Sequence, residues 1–587
     1  MESGYDPVMS NAENRLGLEE LAEVRRRSRG LYWSTAVFSA CVNMLMLTGP
    51  LFMLQVYDRV LGSGSEATLV ALFVIVAFLY LMMGLLDGVR SRVLSRIAAR
   101  FQTDLEDRVF HASMAQAASE PRQVARVRAM DHLAAIRRFL ASPVIAAMFD
   151  LPFVPLFLAG IAIFHPYLGM LAFFGGGILV LLTLIHRIAA KRGQETAQQA
   201  EAEATGMAAR MTSSAEALRA LGMQESSYKR WLKSRRTALE KATAGEDVTQ
   251  SFTAFSRAMR LFLQSAMLAL GAYLVLQREV TAGAMIASSI LLGRALQPVD
   301  TLIGQWQVLQ LAQRGWADLG ELLGSQRPAA PRTPLPRPAA RLSANQVSVV
   351  PPGQQQASLR MVSFDLEPGQ ALGVIGPSGA GKSTLARALT GVWPTTSGAI
   401  RLDGAKLDQY DPEALGQHIG YLPQQVTLFD GTIAENIAKL DLNPNAEAVV
   451  AAAKKADAHN LILSLPNGYD THVSSASGLL SGGQLQRIGL ARAFFGNPVL
   501  VILDEPNSNL DNDGSAALNK AIRRHKEEGG AVLIMAHRPS AIQECDILLM
   551  LDGGMRRAFG PRDEVLREIV KNSKQILEGS KQGGGVQ

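Results

Sequence analysis

The chain has 587 residues and a mass of 63.1 kDa, which is too long for one hydrophobic core and predicts at least two domains. Its charge of +6 and pI of about 9.3 would suit nucleic-acid binding, but most arginines flank apolar segments, as membrane topology requires. We therefore exclude nucleic acid as a partner. The two cysteines, Cys41 and Cys545, lie one in each half, which argues against a disulfide or a cysteine metal site.

The N-terminal half carries the apolar segments. Residues 1–30 are polar, end in an arginine-rich stretch and lack a signal-peptide cleavage site, so they are predicted to stay in the cytoplasm. Six runs are long enough to cross a bilayer, at about 31–54, 67–86, 143–164, 167–185, 261–276 and 282–303. The sixth is the least regular because Arg294, Pro298 and Asp300 interrupt it. Residues 31–324 are thus predicted to form a six-helix domain in the lipid bilayer.

Two long polar, helix-prone extensions, 87–142 and 187–257, separate spans two from three and four from five. The first is rich in arginine, beginning with Arg90, so the positive-inside rule places it in the cytoplasm. Only short turns are left on the outer side.

Asp150 lies within the third apolar segment, in Phe149-Asp150-Leu151-Pro152. Two interpretations remain open: a functional ionisable group inside the membrane, or a helix cap near the headgroups. Pro152 and Pro155 predict a kink in this span.

The C-terminal half has the composition of a soluble α/β protein. A Pro-rich linker at 325–340 marks the boundary, and strand and helix patterns alternate through 341–570, which predicts a largely parallel sheet. The polar, Gly-rich tail at 571–587 is predicted to be loose.

A glycine-rich stretch follows the apolar run Ala371–Ile375 and leads into a helical pattern. Its residues are Gly376, Pro377, Ser378, Gly379, Ala380, Gly381, Lys382, Ser383 and Thr384. Strand, turn and helix make a P-loop, in which backbone N–H groups wrap a phosphate, Lys382 reaches the outer phosphates and Ser383 offers a hydroxyl to Mg²⁺. The chain is therefore predicted to bind a nucleoside triphosphate.

Two further apolar runs end in candidate catalytic groups. Val499–Leu503 precedes Asp504, a predicted Mg²⁺ ligand, and Glu505, which would polarise the attacking water. Ala531–Ala536 precedes His537, which would contact the γ-phosphate, although a lone histidine after a strand is usually structural. A second glycine-rich turn, Leu480–Gln484, opens a helix and offers a phosphate site that one nucleotide in one subunit does not need.

These motifs, in this order, resemble the ATP-binding cassette family along the whole chain. The resemblance adds Gln424 as a magnesium ligand and a participant in hydrolysis, and Ser508-Asn509-Leu510-Asp511 as a further motif in the family's order. It implies a membrane all-α exporter domain followed by a cytoplasmic α/β P-loop ATPase domain, working as a homodimer. In such a dimer Ser481, Gly482, Gly483, Gln484 and Asp511 would complete the nucleotide site, with ATP and Mg²⁺ bound.

A narrower resemblance is to the permease/ATPases of bacterial type I secretion. It rests on residues 49–61, Phe149–Pro152, 504–511 and 559–562. It implies an inner-membrane exporter of unfolded protein that works with a periplasmic adaptor and an outer-membrane channel. It also implies short coupling helices near 128–132 and 214–221. Exporters of lipid, peptide or small molecules, and a channel or regulator that does not hydrolyse ATP, are the alternatives.

Three departures from the family pattern stand out. No aromatic residue or histidine occurs from Ala317 to Ser363, where most cassettes have the ring that stacks on adenine near Val350. Arg360 or a residue of the partner subunit is an alternative cover for the base. Ser474-Ser475 stands where many exporters have Gly-Glu, and Leu485 replaces the usual arginine after the signature.

Overall fold

The computed structural model describes residues 7–119, 129–326, 332–473, 480–536 and 539–568. The chain forms two compact units, the first covering 1–116 and 123–328 and the second covering 117–122 and 329–587. The division at residues 328 and 329 falls inside the Pro-rich stretch.

The first unit is helical. Its helices are α1 (Pro7–Arg27), α2 (Arg29–Leu45), α3 (Thr48–Gln55), α4 (Leu61–Ser63), α5 (Glu66–Ser119), α6 (Ala129–Leu140), α7 (Pro143–Asp150), α8 (Val154–Phe164), α9 (Pro166–Ser213), α10 (Ala215–Ala220), α11 (Gln224–Leu276), α12 (Ala282–Gly304) and α13 (Trp306–Ser325). Six helical stretches in the described residues are long and apolar enough to span a membrane. They coincide with the six predicted runs, and α12 continues through Pro298 as a single helix.

Three helices are much longer than a bilayer requires. They contain 54 residues in α5, 48 in α9 and 53 in α11. At 1.5 Å per residue each exceeds about 70 Å, against about 30 Å for the hydrocarbon core. The polar residues 87–119, 187–213 and 224–257 therefore continue the spanning parts of α5, α9 and α11 without a break. Helices α9 and α11 pack along each other, with an ion pair between Glu201 and Arg235.

The predicted coupling helices differ in outcome. The short α10 occupies the second position, between α9 and α11. At the first position Arg128 lies outside the described residues, and 129–132 form the first turn of the 12-residue α6 rather than a separate short helix.

The third span is interrupted where its prolines predict a kink. A 3₁₀ turn at Leu151–Phe153 separates α7 from α8. Pro152 and Pro155 each lack the N–H that an uninterrupted α-helix would use, which explains the break.

Asp150 is the last residue of α7, and its carboxylate caps no helix. Its Oδ1 accepts hydrogen bonds from Asn43 Nδ2 at 2.7 Å and from Arg90 Nη1 at 2.8 Å. The Arg90 guanidinium, whose side chain is 8% exposed, also donates to Ser39 at 3.1 Å and to Asp87 at 2.6 Å. The helix-cap interpretation of Asp150 is therefore wrong. Arg90, the first arginine of the predicted polar extension, is therefore a buried charge stabilised by its carboxylate partners, because buried charges are stable only when paired.

We expect Asp150→Ala to lower the free energy of unfolding by about 3 kcal/mol, because it leaves the Arg90 charge buried with only part of its bonding. Replacing both residues, Arg90→Met with Asp150→Leu, should recover much of that loss, since no unpaired charge remains. Thermal unfolding of the purified protein measures both variants. Asp107→Ala, which removes an exposed carboxylate, is the control. A double variant no more stable than Asp150→Ala would contradict the assignment.

A second carboxylate ties the first span to the sixth. Asp58 lies in a π-helical turn, Val56–Val60, and accepts from Thr281 Oγ1 at 2.7 Å and from the Gly283 N–H at 3.0 Å at the start of α12. A Cβ on Gly283 would lie 2.6 Å from the Asp58 carboxylate, so only glycine permits this approach.

The second unit is α/β. Its strands are β1 (Leu342–Val349), β2 (Leu359–Leu366), β3 (Ala371–Ile375), β4 (Ser397–Leu402), β5 (Ala405–Lys406), β6 (Ile419–Leu422), β7 (Gly431–Thr432), β8 (His472–Val473), β9 (Leu500–Asp504), β10 (Ala531–Met535), β11 (Ile547–Asp552) and β12 (Met555–Pro561). Its helices are α14 (Lys382–Leu389), α15 (Pro412–His418), α16 (Ile433–Ile437), α17 (Ala446–Lys455), α18 (His459–Leu463), α19 (Gly482–Phe494) and α20 (Asn512–Glu527).

The main sheet has the order β12-β11-β3-β10-β9-β6, parallel except for β12. A separate antiparallel sheet has the order β2-β1-β4-β5. Alternate residues of β9 enter different cores: Val501 and Leu503 belong to one, Leu500 and Ile502 to the other. Both faces of the parallel sheet are thus covered, which explains its continuous apolar strands.

Candidate nucleotide-binding site

The carboxyl ends of four neighbouring parallel strands bring the predicted site residues to one edge of the sheet. In register, Met535 of β10 pairs with Asp504 of β9 and with Val374 of β3, and Leu422 of β6 pairs with Leu503. Ligands of open α/β sheets bind at this edge. The P-loop, the acidic pair and Gln424 all follow these strand ends.

The P-loop connects β3 directly to α14. Gly381 stands at the N-cap of α14 with φ +98°, and a Cβ there would lie 2.7 Å from the carbonyl oxygen of Ser358. Gly379 has φ +79° and nothing within 4 Å of its Cβ position. The loop therefore needs glycine conformations and leaves open space beside it, as a phosphate cradle requires.

Lys382 lies inside this loop. Its Nζ donates to the carbonyl oxygens of Gly376 at 2.8 Å and Pro377 at 2.9 Å, and the residue is 6% exposed. The pKa of the Lys382 ammonium is lowered, because burial outweighs the opposing effect of the Glu505 and Asp504 carboxylates. The ammonium is thus held at the mouth of the loop, facing two carboxylates.

Asp504 and Ser383 meet across the site. Asp504 is 3% exposed at the end of β9, and its carboxylate is hydrogen-bonded by the Ser383 side chain. The pKa of the Asp504 carboxyl is raised, because burial outweighs the opposing effect of the Ser383 hydrogen bond. A hydroxyl and a carboxylate oxygen, the hard ligands that Mg²⁺ prefers, therefore converge beside Lys382.

Glu505 follows in an unusual backbone conformation. Its φ is +52°, in the left-handed region, and its N–H donates to the carbonyl of Met535 at 3.0 Å. A non-glycine residue held there costs on the order of 1–3 kcal/mol and is typical of functional sites. The turn directs the chain away from the sheet immediately after Asp504.

Gln424 and His537 follow β6 and β10 in the sequence, and of the two only Gln424 lies in the described residues. Gln424 is exposed two residues beyond the end of β6. His537, like Ser474 and Ser475, lies outside the described residues. The strand before His537 is in place, since the Ala536 N–H donates to the Val374 carbonyl at 3.1 Å.

The second glycine-rich turn forms a capped helix N-terminus. Ser481 is the N-cap of α19 and accepts from the Gln484 N–H at 3.4 Å, while Gln484 Oε1 accepts from the Ser481 N–H at 2.8 Å. This is a capping box. A Cβ on Gly483 would lie 2.9 Å from the Asn509 carbonyl, so the helix start packs closely on the turn that contains Asn509.

Asp511 ends that turn. It is the N-cap of α20, accepting from the Gly514 N–H at 2.8 Å, and it pairs with Arg487 of α19 at 3.1 Å. The Gly514 N–H and then the Arg487 guanidinium hold the pKa of Asp511 below its usual range. Asp511 therefore joins the first turn of α20 to α19.

One residue that sequence reasoning missed is Gln486. It is 1% exposed, and its side-chain amide donates to the carbonyl of Pro506 at 3.1 Å, which links α19 to the turn after Glu505. A glutamine on the buried face of the helix that follows the second glycine-rich turn was the available signal.

The region expected to hold the base contains no ring. Val350 is half-buried, Pro351 is buried, and the Arg360 side chain is exposed. Val350 is therefore a more accessible position than Pro351 for a side chain that would stack on the base.

Comparison with known proteins agrees with this architecture. The family model for the ABC transporter transmembrane region matches residues 33–299, and the model for the ABC transporter matches 359–508. The type I secretion system ATP-binding protein PrsD of Rhizobium meliloti is 42% identical over 94% of both chains. The cyclolysin secretion/processing protein CyaB of Bordetella pertussis is 28% identical over 92% of this chain and 76% of its own.

A solved bacterial Atm1-family ABC exporter with ATP bound has the same fold, with a TM-score of 0.80 over 92% of this chain and 97% of its own at 23% identity. The chain belongs to the ABC transporter family, among its type I secretion exporters. It is a multi-pass membrane ATPase whose ATP hydrolysis is coupled to transport, and its relatives support ATP-driven protein export.

Proposed function

We propose that this protein exports an unfolded polypeptide across the bacterial inner membrane as the ABC component of a type I secretion system. The observation that carries the proposal is the convergence of Lys382, Ser383 and Asp504 on one sheet edge, in a chain whose described residues include six helical stretches long and apolar enough to span a membrane. ATP binding closes paired cassettes, residues 341–570, and hydrolysis reopens them.

Each site residue has a proposed role. The P-loop N–H groups and Lys382 bind the phosphates, and Ser383, Asp504 and Gln424 would hold Mg²⁺. When bound, that ion would supply positive charge that stabilises the negative charge on the reacting phosphate. Glu505 accepts the proton of the attacking water, and His537 orients the γ-phosphate and the water.

We also propose a homodimer with periplasmic adaptor and outer-membrane channel partners. One chain supplies one membrane half and one cassette, so the signature residues Ser481–Gly483 and Asp511 would serve the ATP bound to the partner's P-loop. In support, no residue in the most apolar 18-residue stretch of α5 is buried within the chain, so lipid or a second copy must cover that helix.

The test compares the proteins that the native host secretes with those secreted when this chain cannot hydrolyse ATP. Cells producing the parent chain and cells producing Glu505→Gln are grown side by side, and the proteins of the medium are compared by quantitative mass spectrometry. We expect one or a few proteins to disappear from the medium and accumulate inside. If the secreted proteins are unchanged and the lipids of the cell envelope are altered, the exported cargo is a lipid and not a protein.

Base selectivity should be weak in this cassette. Stacking on an aromatic ring contributes about 1–3 kcal/mol per base in single-stranded nucleic-acid sites. Because residues 317–363 contain no aromatic residue or histidine, we expect kcat/KM for ATP and GTP to agree within about tenfold, since both share the phosphate groups that the P-loop would bind. Val350→Tyr should tighten binding of both, with Val350→Leu as the control. A strong preference of the parent enzyme for ATP would show that another group, such as Arg360, recognises adenine.

A further inference from the structure

A cavity of about 940 Å³ opens in the membrane unit where α1, α2, α6, α7 and α13 meet. Its volume is near the upper end of the range for ligand pockets, about 300–1,000 Å³. The inner wall is apolar and aromatic, and includes Tyr32, Met148, Phe149, Leu309 and Trp316. A cavity of this size and lining would bury a long apolar chain.

The rim of the cavity carries charge of one sign. Arg25, Arg26 and Arg29 line it, all three are exposed, and no aspartate or glutamate is among the described residues that line the cavity. None of the three makes an ion pair with an acidic side chain among the described residues, whereas neighbouring Arg27 pairs with Glu23 at 3.6 Å. The Arg25 guanidinium lies 5.7 Å from the ring centroid of Trp316. The rim therefore complements an anionic group.

The position of the cavity along the helices fixes its depth. Arg29 begins α2, the first spanning helix, and the arginine-rich end of α1 directly precedes it. Arginines of this kind mark the cytoplasmic boundary, and Tyr32 and Trp316 are residue types enriched at the headgroup level. The charged rim and the apolar interior thus follow the change from headgroup to acyl chain.

We propose that this cavity is a binding site for an anionic phospholipid, with the phosphate at Arg25, Arg26 and Arg29 and an acyl chain against Phe149 and Trp316. Basic pockets between spanning helices on the cytoplasmic side recognise anionic headgroups in this way. A phospholipid is also the amphiphile present at this depth at high concentration, which a transported polypeptide is not. The site does not depend on the nature of the cargo.

The experiment uses the purified full-length exporter in neutral detergent, titrated with dioleoyl phosphatidylglycerol or dioleoyl phosphatidylcholine, and counts bound lipids by native mass spectrometry. The test variant is Arg25→Gln with Arg26→Gln and Arg29→Gln. The control removes the same charge elsewhere, by Arg92→Gln, Arg96→Gln and Arg230→Gln, at exposed arginines with no described ion pair. A second test variant, Met148→Trp, fills the cavity and leaves the arginines in place.

We expect the parent and the control to bind phosphatidylglycerol more tightly than phosphatidylcholine. Each arginine near an anionic lipid surface contributes about fivefold in affinity, so the triple test variant should weaken phosphatidylglycerol binding more than about tenfold. Phosphatidylcholine binding should change little in it, while Met148→Trp should reduce occupancy by both lipids. The thermal unfolding midpoint of each variant without added lipid shows that the fold is intact.

Equal affinity of the parent for both lipids, or full phosphatidylglycerol binding by the triple variant, would overturn the proposal. Crosslinking of the exporter to the exported protein tests the other occupant of the cavity. If the triple variant keeps lipid binding but no longer crosslinks to the exported protein, the proposal is overturned and the cavity belongs to the cargo path. Failure of the proposed export function would instead appear as a secreted proteome that Glu505→Gln leaves unchanged, so the two failures are distinguishable.

Discussion

Glu505→Gln is expected to reduce steady-state ATP hydrolysis at least about 100-fold while leaving ATP affinity near the parent value, because general base catalysis contributes about 10²–10⁴-fold. Lys382 and Ser383, which are proposed to bind the phosphates and Mg²⁺, lie on α14 and not on the turn that carries Glu505, so the substitution leaves both residues in place. Bound nucleotide should therefore hold the cassettes together. Phosphate release measures turnover, and size-exclusion chromatography of the separate cassettes with ATP measures the closed dimer.

The control for this variant is Glu413→Gln, which changes an exposed glutamate at the start of α15 in the same unit. It should hydrolyse ATP at the parent rate. A Glu505→Gln protein with near-parent turnover would show that another group activates the water. A parent protein without turnover would favour a channel or regulator gated by ATP.

Lys382→Ala is expected to weaken ATP binding at least about tenfold, since hydrogen bonds to charged groups contribute about 1.5–3 kcal/mol. The substitution also removes the donor that the Gly376 and Pro377 carbonyls share. Loss of that donor should loosen the loop itself. Binding of a fluorescent ATP analogue and thermal unfolding without nucleotide separate the two effects.

Lys520→Ala, which removes an exposed ammonium from α20, is the matched control. It should bind ATP like the parent. If Lys382→Ala bound ATP normally, the P-loop assignment of this lysine would fail, whatever its effect on the unfolding midpoint.

The parts of this protein that its sequence predicts are those with a local cause. The six spans follow from runs of apolar residues, and the P-loop follows from glycine spacing between a strand and a helix. The edge shared by the P-loop and Asp504 follows from parallel strands, whose carboxyl ends coincide. Each apolar run and each motif on which these predictions rest extends over fewer than about 25 residues.

The parts that were missed depend on contacts between distant segments. Arg90 reads as one more basic residue of a polar extension, and only the packing of α2, α5 and α7 shows that it is buried beside Asp150. The bond from Gly283 to Asp58 joins residues that are far apart in sequence. Neither apolar periodicity nor residue type carries this information, because it arises from how the helices are assembled.

The continuous helix α11 has a mechanical consequence. Its last 16 residues, 261–276, form the predicted fifth span, and its preceding polar part, 224–260, is about 55 Å long at 1.5 Å per residue. A rod of that length pivoting at the membrane surface by about 10° carries its far end through about 10 Å. The helix therefore acts as a lever arm, and because α9 packs along it, the arm is braced against bending. Small rotations between membrane helices are thereby converted into large displacements at the end of the arm.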